Sequence, residues 1–190
     1  NRCGNTGDTL LKLLLSIEIV QRPLLDQLTL KILTLDSEMH LDNEAASIGQ
    51  QQQSQSGWFN DRGIGIESGN SKNNSSKNDT KRQLILHILN HIRWCEYIYD
   101  SVWLISHLVD TTHALQDCSL VIEILSSLPT FAAEHHEHLL LNKLLDLLDT
   151  RSTDLLPCVI ETIGNLCLPQ GDPLLALAFE KVVSLLDTAE

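Results

Sequence analysis

The densest group of side chains able to bind a metal or move a proton is Glu134, His135, His136, Glu137 and His138. On a helix His135 and His138 share a face, as do Glu134 and His138, so the spacing permits a metal site. It is not a His-Glu-x-x-His pattern, because Leu140 stands four after His136, and no other ligand group lies nearby in sequence. A solvated helix start is therefore the expectation, with no catalytic residue, no metal and no cofactor. His87 and His91 are four apart among apolar neighbours, which suits a packed or rim position. Asp146 and Asp149 fall on exposed helix positions as solubilising charge rather than as an acid and base poised by burial. The chain has no Gly-x-x-x-x-Gly-Lys-Ser phosphate loop and no Gly-x-Ser-x-Gly elbow, and Gly63, Gly65 and Gly69 lie in a polar stretch. Cys3, Cys95, Cys118, Cys158 and Cys167 form no Cys-x-x-Cys pair and read as reduced thiols, most of them packed as small hydrophobes. The chemistry of the chain points away from an enzyme.

The elements that would carry these side chains are helical. Leucine supplies 37 of 190 positions, whereas Phe, Trp and Tyr together supply eight, so the core is aliphatic and built from good helix formers. Asp8 or Thr9 caps an expected helix to about Val20, and Pro23 opens a second to about Glu38. Thr80 caps a third to about Tyr99, with Leu84, Ile85, Ile88, Leu89, Ile92 and Cys95 on one apolar face. Further helices are predicted over 101–110, 112–128, 132–148, 152–167 and 172–186, divided by Pro129 and by the run from Pro169 to Pro173. Leu10 to Val20 is interrupted by Lys12, Ser16 and Glu18 and cannot span a bilayer, which needs roughly 20 apolar residues. No signal peptide is apparent, and a chain opening on Asn1 reads as one segment, 1–190, of a longer protein.

Internal similarity refines this to an architecture. Val121, Ile122 and Glu123 recur as Val159, Ile160 and Glu161, and KLLDLLDT (Lys143 to Thr150) returns as KVVSLLDT (Lys181 to Thr188), both 38 residues later. A pair of helices every 38 residues or so predicts an all-α, HEAT-like or armadillo-like α-solenoid of antiparallel helix pairs. Residues 42–80 interrupt it: 23 of these 39 are Gly, Ser, Asn or Gln, too polar to offset the entropy of ordering, so a disordered insertion is expected. Within it Trp58, Phe59, Ile64 and Ile66 could form a short docking peptide. Ser54 and Gln55 make the dipeptide chosen by kinases of the phosphatidylinositol-kinase-like class, which marks Ser54 as a candidate phosphorylation site. Trp94 and Trp103 are candidate interface aromatics, although core wedges are the more usual role of such residues in a helical repeat.

Net charge is −12 overall, and residues 84–190 carry 15 acidic against 4 basic residues. Potential of that sign repels phosphate within a Debye length of about 8–10 Å, so this block is not expected to line a duplex.

HIRWCEYIYD (His91 to Asp100) resembles the basic-Trp helix in the N-terminal solenoid of the Fanconi anaemia group D2 family. LSSLP (Leu125 to Pro129), LLDTRSTDLLP (Leu147 to Pro157), VIETIGNLCL (Val159 to Leu168) and FEKVVSLLDT (Phe179 to Thr188) follow in that family's order and spacing. The resemblance covers 84–190 and reaches 10–38 only as a helix pair. It implies a nuclear, non-enzymatic scaffold of DNA interstrand-crosslink repair that pairs with the Fanconi anaemia group I paralogue and closes as a monoubiquitinated clamp on DNA. The implied partners are that paralogue, DNA through the full heterodimer, and the ubiquitin machinery, with no membrane. The family's acceptor lysine has no counterpart among Lys12, Lys31, Lys143 and Lys181, and the Ser-Gln that some members carry after the Ser-Leu-Pro turn is replaced here by the sequence from Thr130 to His138. The alternative is a generic HEAT-like adaptor for protein or peptide partners.

Overall fold

The computed structural model describes residues 4–55, 70–132, 136–150, 153–169 and 171–188, and their regular structure is all helical. In chain order these are α1 (Gly4–Leu15), α2 (Glu18–Gln55), α3 (Asn70–Arg93), α4 (Ser101–Ala114), α5 (Cys118–Ser127), α6 (Glu137–Thr150), α7 (Leu156–Gly164) and α8 (Pro173–Thr188). Single 3-10 turns follow α5 at Leu128–Thr130 and lead into α7 at Thr153–Leu155. No helix among the described residues is long and apolar enough to cross a membrane.

Local chemistry sets several of the helix starts. Asp100 accepts from Trp103 N at 2.9 Å to cap α4, and Asp117 accepts from Ser119 N at 2.9 Å to cap α5. Burial pushes the Asp117 carboxyl up, but hydrogen bonds from the Ser119 hydroxyl and N–H, with Arg82 and His40 nearby, leave it below the usual value. At α8 the chain turns through Gly171, whose φ of 86° favours glycine, and Asp172 accepts from Leu174 N at 2.8 Å. Pro173 then occupies the first helical position, where its missing N–H costs nothing.

The helices pack in a regular order. α2 lies against α3, α4 against α5 and α6 against α7, while α2, α4, α6 and α8 form one row of neighbours and α3, α5 and α7 another, with α1 against α2 and α3. The buried faces keep one register along each row. Leu104, Ile105, Leu108, Val109, Thr111 and Thr112 of α4 stand 36 residues before Leu140, Leu141, Leu144, Leu145, Leu147 and Leu148 of α6, and all twelve are buried. Leu120, Val121, Ile124 and Leu125 of α5 stand 38 before Cys158, Val159, Thr162 and Ile163 of α7, again all buried. Each fully buried leucine contributes about 1.5–3 kcal/mol of hydrophobic stabilisation, so this repeating stripe is the main source of cohesion.

Several expected boundaries move. α1 begins at Gly4 rather than at an Asp8 or Thr9 cap, and α2 begins at Glu18, which leaves Pro23 inside the helix. The carbonyl that Pro23 deprives of a partner belongs to Ile19, an exposed residue open to water. α3 ends at Arg93 rather than Tyr99, α4 extends to Ala114, and α5 starts at Cys118 rather than Thr112. α6 starts at Glu137 and α7 is confined to Leu156–Gly164.

The expected insertion at 42–80 also changes character, because its flanks are helical: α2 continues to Gln55 and α3 starts at Asn70. Polar contacts between the two helices serve where apolar ones are scarce. Lys81 reaches Asp42 at 2.8 Å and Glu38 at 3.2 Å, and Asn78 donates to Asn43 at 2.9 Å. The Lys81 hydrogen bond holds the Asp42 carboxyl below its ordinary value. Extending a helix already nucleated by packing costs little per residue, which is how so polar a sequence continues both helices. Trp58, Phe59, Ile64 and Ile66 lie outside the described residues.

Candidate interaction site

Gln21 organises the most distinctive surface of the chain. It stands on the first turns of α2, 2% exposed, and its side chain is bonded to main chain on two sides. Nε2 donates to Leu15 O at 2.8 Å and to Tyr97 O at 2.7 Å, and Oε1 accepts from Tyr99 N at 2.9 Å. A single amide thus pins the end of α1 to the segment 94–100 between α3 and α4. Tyr99 adds a bond from its hydroxyl to Ser16 O at 3.0 Å. Burial pushes the Cys95 thiol up, and it donates to Tyr97 O at 3.4 Å, so this sulfur stays protonated rather than serving as a nucleophile.

What Gln21 holds in place is a cluster of aromatic side chains turned outward. Trp94 is 65% exposed and Tyr97 63% exposed, and the Tyr97 and Tyr99 rings meet edge to face with centroids 4.7 Å apart. Together with Leu13 of α1 they line a cavity of about 390 Å³, edged by Lys12 and Glu96. A rigid loop carrying Trp and Tyr beside an apolar helix residue suits an aliphatic or aromatic side chain of a partner, since such residues give large contact area with few rotors to freeze. Trp94 is therefore not the core wedge that its sequence context suggests.

Trp103 is held differently. It is half-buried on α4, with the Arg22 guanidinium carbon 4.8 Å from its ring centroid and His107 stacked on it at 4.7 Å. His107 Nε2 lies 2.7 Å from Thr29 Oγ1 and 3.5 Å from Asp26, so this column of side chains joins α4 to α2. Trp94 and Trp103 are thus not one surface: the first faces solvent and the second is part of a cross-helix stack.

The remaining candidate residues are dispersed. Ser54 sits in the last turn of α2 rather than in an irregular segment, and its side chain lies outside the described residues. Glu134 and His135 also lie outside them. His138 bonds Asp172 at 2.6 Å, tying α6 to the start of α8, and His136 Nδ1 lies 2.9 Å from Ser101 Oγ. Among the described residues no three His, Cys, Asp or Glu side chains gather where one metal ion would reach them. His87 and His91 meet each other, with ring nitrogens 3.2 Å apart. Asp146 and Asp149 are exposed, and Asp149 pairs with Lys181. Of the thiols described, Cys158 is buried and Cys95 partly so, but Cys118 and Cys167 are exposed, contrary to their expected packing.

Sequence reasoning passed over Gln21, Tyr97 and Tyr99 as site residues. The available signal was Gln21 itself, a polar residue next to the apolar run Ile17 to Val20. Comparisons of the chain with protein-family models, with characterised proteins and with solved structures give no match.

Proposed function

We propose that the chain is a non-enzymatic scaffold arm, an α-solenoid of stacked antiparallel helix pairs that works by presenting surfaces to partner proteins. The observation that carries this reading is the shared register of buried residues from α4 to α6 and from α5 to α7, combined with packing confined to near neighbours. Such stacking leaves long side surfaces free for partners and places no closed pocket at its centre. The outward aromatic cluster of Trp94, Tyr97 and Tyr99 is the surface best suited to contact.

The collinear resemblance to the Fanconi anaemia group D2 family specifies the scaffold further. On that reading the chain belongs to the arm of a nuclear DNA interstrand-crosslink repair protein that pairs with the group I paralogue. DNA contact and monoubiquitination then lie on other parts of the parent protein, in keeping with the acidity of residues 84–190. Size-exclusion chromatography with light scattering on this chain mixed with the group I paralogue tests it. A one-to-one complex that Trp94→Ala and Tyr97→Ala weaken supports the repair scaffold. No complex at micromolar concentration refutes it and leaves the adaptor reading, which the completeness of the aromatic cavity within this one chain favours.

A further inference from the structure

The end of the molecule formed by α7 and α8 carries an apolar groove of about 230 Å³ whose lining includes Ile160, Ile163, Leu166, Leu175, Phe179 and Val182. Its register says what belongs in it. Counting back 38 residues converts α7 into α5 and α8 into α6, and the groove between α5 and α6 is filled by α7, which packs on both. The groove between α3 and α4 is filled by α5 in the same manner.

The exposure of individual residues follows this correspondence. Leu141, Leu145 and Leu148 on α6 are 0%, 6% and 8% exposed, whereas their counterparts Phe179, Val183 and Leu186 on α8 are 62%, 55% and 51% exposed. The side chains are apolar at both sites, and what differs is the neighbouring helix: α6 has α7, while the principal neighbour of α8 among the described residues is α6. Leu140 and Leu144, on the face turned to the row of even helices, have counterparts Ala178 and Val182 that stay buried. The exposed stripe is therefore the face that a helix in the position of α7 would cover.

The fit of α7 in its own groove describes the occupant. Its buried residues fall at Cys158, Val159, Thr162 and Ile163, and the small side chains of Cys158 and Thr162 approach the carbonyl oxygens of Ile122 and Leu125 to 3.8 and 3.4 Å. The corresponding carbonyls in the open groove are those of Ile160 and Ile163. Charge adds a second constraint. Glu161, Glu180 and Asp187 are exposed on α7 and α8, and the one cation on these helices, Lys181, is engaged by Asp149 and by Leu145 O.

We infer that the α7–α8 groove is a docking site for one amphipathic helix of a partner polypeptide, with small residues at i and i+4, aliphatic residues at i+1 and i+5, and basic flanks. The inference deepens the scaffold reading and rests on its stacking geometry, not on the repair assignment, so the paralogue complex is judged by its own measurement. An occupant of this kind covers Phe179, Val183 and Leu186 and continues the apolar stripe by one helix.

The test is fluorescence anisotropy with a labelled synthetic peptide of the α7 sequence, residues 155–168, flanked by lysines, titrated with the 190-residue chain. Saturable binding is expected, weakened at least about tenfold by Phe179→Asp and by Val183→Asp, as for loss of a central anchor, and weakened by salt. A peptide of the same composition with the apolar spacing scrambled should not bind. Because both substituted side chains are exposed, the variants should keep the wild-type melting curve, and Leu186→Asp at the edge provides a third variant of the same stripe. No binding, or binding indifferent to Phe179 and Val183 as exchange with the resident α7 would give, overturns the proposal. So does light scattering that shows a dimer abolished by Phe179→Asp, which would assign the groove to a second copy of the chain.

Discussion

Replacing Gln21 by methionine keeps the side-chain volume and removes every polar contact it makes. Three main-chain groups, Leu15 O, Tyr97 O and Tyr99 N, then lose partners that stand 2.8, 2.7 and 2.9 Å away. A neutral hydrogen bond contributes a net ~0.5–1.5 kcal/mol, and a donor or acceptor left buried costs ~1–3 kcal/mol. Leu15 O is enclosed, whereas Tyr97 O and Tyr99 N border an exposed segment where water can replace the amide, so the sum is about 2–3 kcal/mol. For a chain of this length that lowers the melting temperature by roughly 4–12 °C. Urea unfolding followed by Trp fluorescence measures the change directly, and amide exchange at Tyr99 should rise in parallel as the 94–100 segment loosens. Gln21→Ala should lose more than Gln21→Met, because it adds a cavity. If Gln21→Met unfolds within about 0.5 kcal/mol of wild type, the amide is not what holds the aromatic segment, and the account of the site is wrong.

Leu144→Ala, inside the α6 stripe and fully buried, should cost about 2–5 kcal/mol by urea unfolding, whereas Leu177→Ala, 51% exposed on α8, should stay within about 0.5 kcal/mol of wild type. Gly171→Ala meets no atom within 4 Å but must hold φ near 86°, so calorimetry should show a loss of about 1–2 kcal/mol arising from backbone conformation alone. The hydrogen bond from His138 keeps the Asp172 carboxyl below its ordinary value of 3.8, outweighing the opposing effect of burial. Asp172 therefore stabilises the fold above that value, and the contribution is lost as pH falls through the lower value it has in the folded chain. Melting curves of wild type and Asp172→Asn should converge only at that acid end, and a difference that grows on acidification would refute the assignment.

The helical class was legible because it rests on local spacing. Ile85, Ile88, Leu89 and Ile92 form the buried face of α3 that their i, i+3, i+4, i+7 pattern indicates, although Leu84, assigned to the same face, is exposed. The end of α3 was not legible, since the pattern runs on through Cys95 and only an amide 76 positions earlier in the sequence draws Tyr97 out of the helix. The helical flanks of the 42–80 segment were missed for a related reason. Composition measures the apolar area a segment can bury, but Lys81, Asp42 and Asn43 join α2 to α3 through polar contacts made between strongly separated positions. The acidic and His-rich stretch was read by type alone, and type does not show that His138 faces Asp172 across the gap from α6 to α8.

The tie between Gln21 and Tyr97 has a consequence for biosynthesis. Most helix contacts in the chain join near neighbours, so they form quickly and in the order in which the polypeptide leaves the ribosome. Gln21 must wait for a partner 76 residues later, and His107 closes a loop of 78 onto Thr29. Until α4 has emerged, α1 and α2 expose apolar residues that α3 alone cannot cover, and closing so long a loop carries an entropic cost that short-range pairs do not. The N-terminal helices are thus the first synthesised and among the last completed, which makes them the natural place for a chaperone to hold the nascent chain.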